Sequence, residues 1–355
     1  MNLRALKYLS ALAIPIIVII CLMMGGWWTW GGLLFSFGVL PALELVLPFS
    51  TKNMDKVEEA MAKKDKLYDF IVWLIVPVQY FLVFYTLYQL KIDQDDYAWY
   101  EYAGYISALG IACAVLGINV AHELGHRSSK FEQTLSKMLL LTSLYMHFFI
   151  EHNRGHHSNV STPNDPATSR YGEMIYAFWF RSTITGYLSA WKLENTRLKK
   201  LGKSIFSIHN EMLRYQIIQL AFLAGIFFYF GAIPTLCFII SATIGFLLLE
   251  SVNYVEHYGL QRKINEYGAY EKTLPIHSWN SNHPLGRLML FELTRHSDHH
   301  YMASRPYQVL RHFDESPQLP TGYPGMVILS LIPPLWFKVM HKEIDKLKTR
   351  SNDLA

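Results

Sequence analysis

Nine of the fifteen histidines in this 355-residue chain fall into four tight groups, and imidazole is the commonest protein ligand for transition metals. The first group, His122-Glu123-Leu124-Gly125-His126, sets two imidazoles four residues apart, on one face of a helix. In the second, Glu151-His152-Asn153-Arg154-Gly155-His156-His157, His152 and His156 share a helix face. His157 points about 100° away from His156, so this group serves one metal and leans toward another. His257 stands alone in Asn253-Tyr254-Val255-Glu256-His257-Tyr258-Gly259. The fourth group, Arg295-His296-Ser297-Asp298-His299-His300, puts three imidazoles on one side of a helix. A single such pair arises by chance, but three independent patterns in one chain point to metal binding; His257 rests on position rather than spacing. His147, His209, His277, His283, His312 and His341 have no partner at ligand spacing and are expected to be surface or structural.

Nine imidazoles exceed the six positions of an octahedral ion, so two ions are implied. The segment from His122 to His126 also matches the HExxH zinc-protease signature, with Glu123 as would-be general base. That rival needs one further ligand and leaves the other histidine groups without a purpose. Imidazole-rich sites with open positions suit iron handling dioxygen, which favours a di-iron centre.

The elements that must position these groups are helices in a membrane. Only 17% of the residues are charged, while 51% are hydrophobic and 15% aromatic. The apolar residues are gathered into runs that approach the ~20 residues a spanning helix needs. The expectation is an all-α, polytopic membrane protein, a single domain over 1–355 with six spans at about 9–24, 33–48, 67–90, 102–121, 213–230 and 235–250. Lysines and arginines orient it, because cytoplasmic loops keep positive charge. With both termini cytoplasmic, the three outside links (25–32, 91–101 and 231–234) carry Lys91 as their sole basic residue. The histidine groups then share one level in the cytoplasmic portions 122–212 and 251–355, which form a histidine-rich cap. A metal transporter, by contrast, would line a path through the bilayer. Two further apolar segments, Leu135–Ile150 and Gly325–Met340, are expected to lie in the interface or inside the protein rather than to cross.

Cys21, Cys113 and Cys237 all lie within apolar runs, which leaves neither a disulfide framework nor a cysteine metal site. The net charge of +4 is too small to suggest nucleic acid. No GxGxxG element stands in a strand-to-helix context, so no tightly bound organic cofactor is expected and electrons must come from outside.

On HELGHR (122–127), EHNRGHH (151–157), NYVEHYGL (253–260) and RHSDHH (295–300), the chain resembles the integral-membrane alkane 1-monooxygenases. These belong to the histidine-rich superfamily that includes membrane fatty acid desaturases and the xylene monooxygenase hydroxylase component. The tyrosine-flanked NYVEHYG element, carrying a ninth histidine, is the discriminating part, and the resemblance covers essentially the whole chain. It implies iron ligands at His122, His126, His152, His156, His157, His257, His296, His299 and His300. It also implies two irons, dioxygen as co-substrate, and rubredoxin as electron donor, itself reduced by an NAD(P)H-dependent reductase. The implied activity is terminal hydroxylation of medium-chain n-alkanes to primary alcohols, in the bacterial inner membrane. Aromatic-methyl hydroxylation and acyl desaturation are the alternatives on the same metals. Glu123, Glu151, Glu256 and Asp298 sit where carboxylates could orient metal-bound imidazoles. The alkane would arrive from the lipid through a pocket lined by the second, third and fourth spans, and Glu44, inside the second span, is expected to face the protein interior.

Overall fold

The computed structural model describes residues 3–93 and 95–353. Six of its helices are long and apolar enough to cross a membrane: Arg4–Met24, Gly26–Val46, Lys66–Ile92, Trp99–Gly125, Glu211–Phe230 and Ala232–His257. The chain is a multi-pass membrane protein, and among the described residues there is no strand longer than an isolated bridge. Apolar side chains such as Val46 and Phe228 point outward, as lipid-facing residues must.

The spans run past the ends that hydrophobicity alone suggests. The fourth has 27 residues and the sixth 26, about 40 Å at 1.5 Å per residue, against a hydrocarbon core of about 30 Å. The surplus turns are polar: His122 occupies the last turns of the fourth span and His257 ends the sixth. These two spans approach closely where Gly110 meets Ile244 and Gly245 meets Cys113; a Cβ on Gly245 would lie 2.7 Å from Cys113 Cβ. Small residues let membrane helices touch in this way, and the contact fixes His122 and His257 relative to one another.

Neither additional apolar segment forms a helix long and apolar enough to cross. Lys130–Leu141 is a helix of 12 residues, about 18 Å long and too short to span. It ends in turns around Leu144, whose φ of 51° lies in the left-handed region. The segment is anchored to the third and fourth spans: Gln79 Nε2 donates to Thr142 Oγ1 at 3.2 Å, and Ser136 Oγ to the Ala121 carbonyl at 2.6 Å. The second segment is broken into the helices Tyr323–Ser330 and Pro333–Asp353, with the two prolines at the start of the latter, where a missing N–H costs nothing.

Two spans carry widened π-helical turns, Phe35–Val39 in the second and Cys113–Ile118 in the fourth. Such turns loosen the backbone ladder; here Ser143 Oγ donates to the Cys113 carbonyl at 3.1 Å. Glu44 is buried, as expected of an intramembrane carboxylate, and its Oε1 accepts the Gly286 N–H at 2.7 Å. A Cβ on Gly322 would collide with the same carboxylate. Gly322→Ala is therefore expected to lower stability by about 1–3 kcal/mol, read as a lower unfolding midpoint in detergent, with Gly225→Ala, whose added Cβ meets nothing within 4 Å and whose backbone is helical, costing less.

Candidate metal centre

The nine histidines of the four groups converge. His122, His126, His152, His157 and His299 form one set and His156, His257, His296 and His300 another, each with ligand atoms within 4.8 Å of one another. Within the sets His126 and His152 Nε2 stand 3.0 Å apart, as do His157 and His152 Nε2. His156 and His300 Nε2 are 3.2 Å apart, and His296 and His257 Nε2 3.3 Å. Nitrogens about 2.1 Å from one ion lie roughly 3.0 Å apart at octahedral corners and 3.4 Å apart at tetrahedral ones, so the spacing suits one ion per set. Burial pushes His126 down to about 3 and His152, His157, His296, His299 and His300 well below the ordinary imidazole range. Neutral rings keep the lone pairs that metal binding requires.

The second histidine group divides differently from its α-helical spacing. His152 joins His157, while His156 goes to the other set. The cause is a π-helical turn over His152–His156, which brings residues five apart toward one face. The fourth group also divides, with His299 in the five-histidine set and His296 and His300 in the other. The short His296–Tyr301 helix lies between the two sets.

Of the four candidate carboxylates, Glu256 touches a cluster imidazole: its Oε2 is 3.1 Å from His296 Nε2, and its Oε1 accepts from Tyr323 Oη at 2.8 Å. Glu123 is held by Arg127 at 2.7 Å and Asp298 by Arg305 at 2.6 Å. Glu123, engaged in that pair, is poorly placed for the general base of a zinc protease. Glu151 accepts from Ser189 Oγ at 3.3 Å, and its carboxyl is pushed up to about 8, first by burial and then by the nearby Asp165 charge. One carboxylate escaped sequence reasoning. Asp165 Oδ2 is 2.9 Å from His156 Nδ1 and also accepts from Thr168 Oγ1 at 2.6 Å. Its sole sequence signal is the turn-forming Pro163-Asn164-Asp165-Pro166.

The other six histidines take different partners: His147 packs on Tyr145, His209 meets Lys203, His277 meets Glu271, His283 meets Ser281, His312 meets Asn282 and His341 meets Tyr258. None belongs to either cluster.

An apolar cavity with about 1010 Å³ of empty space ends at His122, His152 and His296. The second span contributes Phe37 and Leu40 to its wall and the fourth Ile111 and Val115, as expected. The third span contributes none of its lining; the sixth does instead, through Leu248 and Val252. The third span faces the Lys130–Leu141 helix, where Tyr80 Oη donates to the Met138 carbonyl and Trp73 Nε1 to Glu132. That packing turns it away from the cavity.

The fatty acid desaturase family profile matches residues 97–330, which hold every histidine of the two clusters. Alkane 1-monooxygenase 1 of Pseudomonas aeruginosa is 40% identical over 318 residues, covering 89% of this chain and 83% of that protein. Alkane 1-monooxygenase 1 of Alcanivorax borkumensis is 38% identical over 97% of this chain and 88% of its own length. The chain belongs to the alkane 1-monooxygenase family. The xylene/toluene monooxygenase hydroxylase component of Pseudomonas putida is a more distant relative, at 30% identity over 90% of this chain and 83% of that protein. Family membership and the two imidazole clusters together make this a metal-binding protein.

Proposed function

We propose that the protein hydroxylates medium-chain n-alkanes at the terminal carbon, using dioxygen and electrons from rubredoxin. The observation that carries this reading is an apolar cavity between spanning helices that ends on imidazoles of both histidine clusters. An unactivated methyl group has no acidic proton and no leaving group, so neither acid–base nor nucleophilic catalysis can act on it. Two irons, one held by each histidine set, would supply the dioxygen activation that such a bond requires. The protein's own contribution is positional. Leu40, Ile111, Val115 and Leu248 shape an apolar wall that excludes water. Asp165 orients His156 through Nδ1, whereas Glu256 meets His296 at Nε2, the nitrogen that faces His257. Selection of the terminal carbon falls to the shape of the cavity, since it offers a hydrocarbon no hydrogen bond to make.

The balance of the reaction is alkane, dioxygen, two electrons and two protons giving primary alcohol and water. The reaction needs an electron donor, and the lysine- and arginine-rich segments support a docking face on the cytoplasmic side that suits an acidic rubredoxin. The same charges favour both termini inside, in the bacterial inner membrane. The test is conversion of octane by membranes containing the protein, supplied with rubredoxin, its reductase and NADH. The expected product is 1-octanol, with about two irons per chain. Iron without alcohol from octane would shift the substrate to aromatic methyl groups or acyl chains, and zinc in place of iron would end the monooxygenase reading.

A further inference from the structure

The cavity is apolar, yet it contains polar atoms that a hydrocarbon leaves unsatisfied. Asn119 lines it, is 93% buried, and its amide nitrogen has no hydrogen-bond partner among the described residues. Ser36 and Glu44 line the same cavity, and Ser36 Oγ and Glu44 Oε2 are likewise buried and unpartnered among the described residues. Asparagine is a weak helix former, and an unsatisfied amide within a membrane span is costly. A leucine at 119 would pack the wall better if alkane were the sole occupant.

Its placement indicates what it meets. Asn119 begins the α-helical turn that follows the widened turn Cys113–Ile118, and it precedes His122 by three residues, on the same helix face. Ser36 lies within the widened turn of the second span. Both interruptions of regular helix thus adjoin polar groups at the cavity wall, and such interruptions recur at ligand sites. The amide presents both a donor and an acceptor, close to the histidine end of an otherwise apolar passage.

We propose that the Asn119 side chain is a subsite for the hydroxyl of a primary alcohol, holding that oxygen beside His122 while the alkyl chain lies along the apolar wall. The proposal rests on the alkane hydroxylase reading for the origin of the alcohol, but not for its binding. The subsite makes the cavity prefer an alcohol over the alkane of equal length, so product competes with substrate and leaves last.

The test is equilibrium dialysis of 1-octanol and octane against the purified full chain in nanodiscs, without reductant so that no turnover occurs, with protein-free nanodiscs as reference. Wild type is expected to hold 1-octanol more tightly than octane. Asn119→Leu is expected to weaken 1-octanol about five- to tenfold, the worth of one hydrogen bond, and to leave octane within about twofold. Asn119→Ser, which keeps a donor, restores part of the preference and serves if the leucine variant fails to fold. Unchanged 1-octanol binding in both variants, or equal loss of both ligands, overturns the subsite. Separately, a wild type that prefers 1-octanol through Asn119 yet makes none from octane keeps the subsite and sinks the hydroxylase reading.

Discussion

His257→Ala is expected to lower iron content from about two per chain to about one and to reduce 1-octanol formation by at least about a hundredfold. The reason is the size of its set. His257 is one of four imidazoles in its cluster, whereas the neighbouring set has five. Its removal leaves three ligands facing a buried void. Changes in groups that merely orient a ligand cost about 10–100-fold in metal affinity, so loss of a ligand exceeds that. The measurement is metal per chain by mass spectrometry, alongside octane turnover. His209→Ala, at an exposed histidine paired with Lys203, is the control and should leave both unchanged. A zinc protease built on His122 and His126 would tolerate the loss of His257, so full retention of activity would contradict the four-histidine grouping.

The features legible in the sequence are those set by composition and local spacing. Apolar runs gave six spans because burial of a backbone in lipid demands helices of a fixed minimum length. Imidazoles four residues apart announced metal binding because a helix turn sets that period. What escaped depends on departures from the regular helix or on distant chain contacts. The partition of His152, His156 and His157 follows from a π-helical turn, which has no residue signature, so α-helical spacing assigned His156 to the wrong neighbour. Glu44 finds the Gly286 N–H 242 positions away. The third span is as apolar as its neighbours, and its absence from the cavity wall is decided by its packing against the Lys130–Leu141 helix, which periodicity does not encode. Asp165 lies outside all four histidine motifs, and the irregular turns between positions 157 and 165 bring it back to His156 nine residues earlier, without the fixed spacing of a regular helix.

That last contact yields an expectation as sharp as the loss of a ligand. Asp165 is buried and accepts three hydrogen bonds, from His156 Nδ1 at 2.9 Å, Thr168 Oγ1 at 2.6 Å and the Ala167 N–H at 3.2 Å. All three partners are donors when His156 carries its proton on Nδ1, and that tautomer leaves Nε2 free for a metal. Burial alone would lower His156, but the Asp165 charge outweighs it and holds this imidazole above its ordinary range, while the carboxylate itself is held low by the same pairing. Asparagine has the same shape, yet it offers one acceptor oxygen and turns an NH₂ toward a donor. Asp165→Asn is therefore expected to weaken metal at the four-histidine set about 10–100-fold and to cost about 1–3 kcal/mol for the buried group left unsatisfied. Thr168→Val removes one donor and leaves the charge on His156 in place, so its effect should be the smaller. Competition with a chelator of graded strength would resolve the two sets: one iron should leave Asp165→Asn early while the other, held by the five-histidine set, is released as in wild type. Simultaneous early release of both metals would mean that the two sets act as one coupled site.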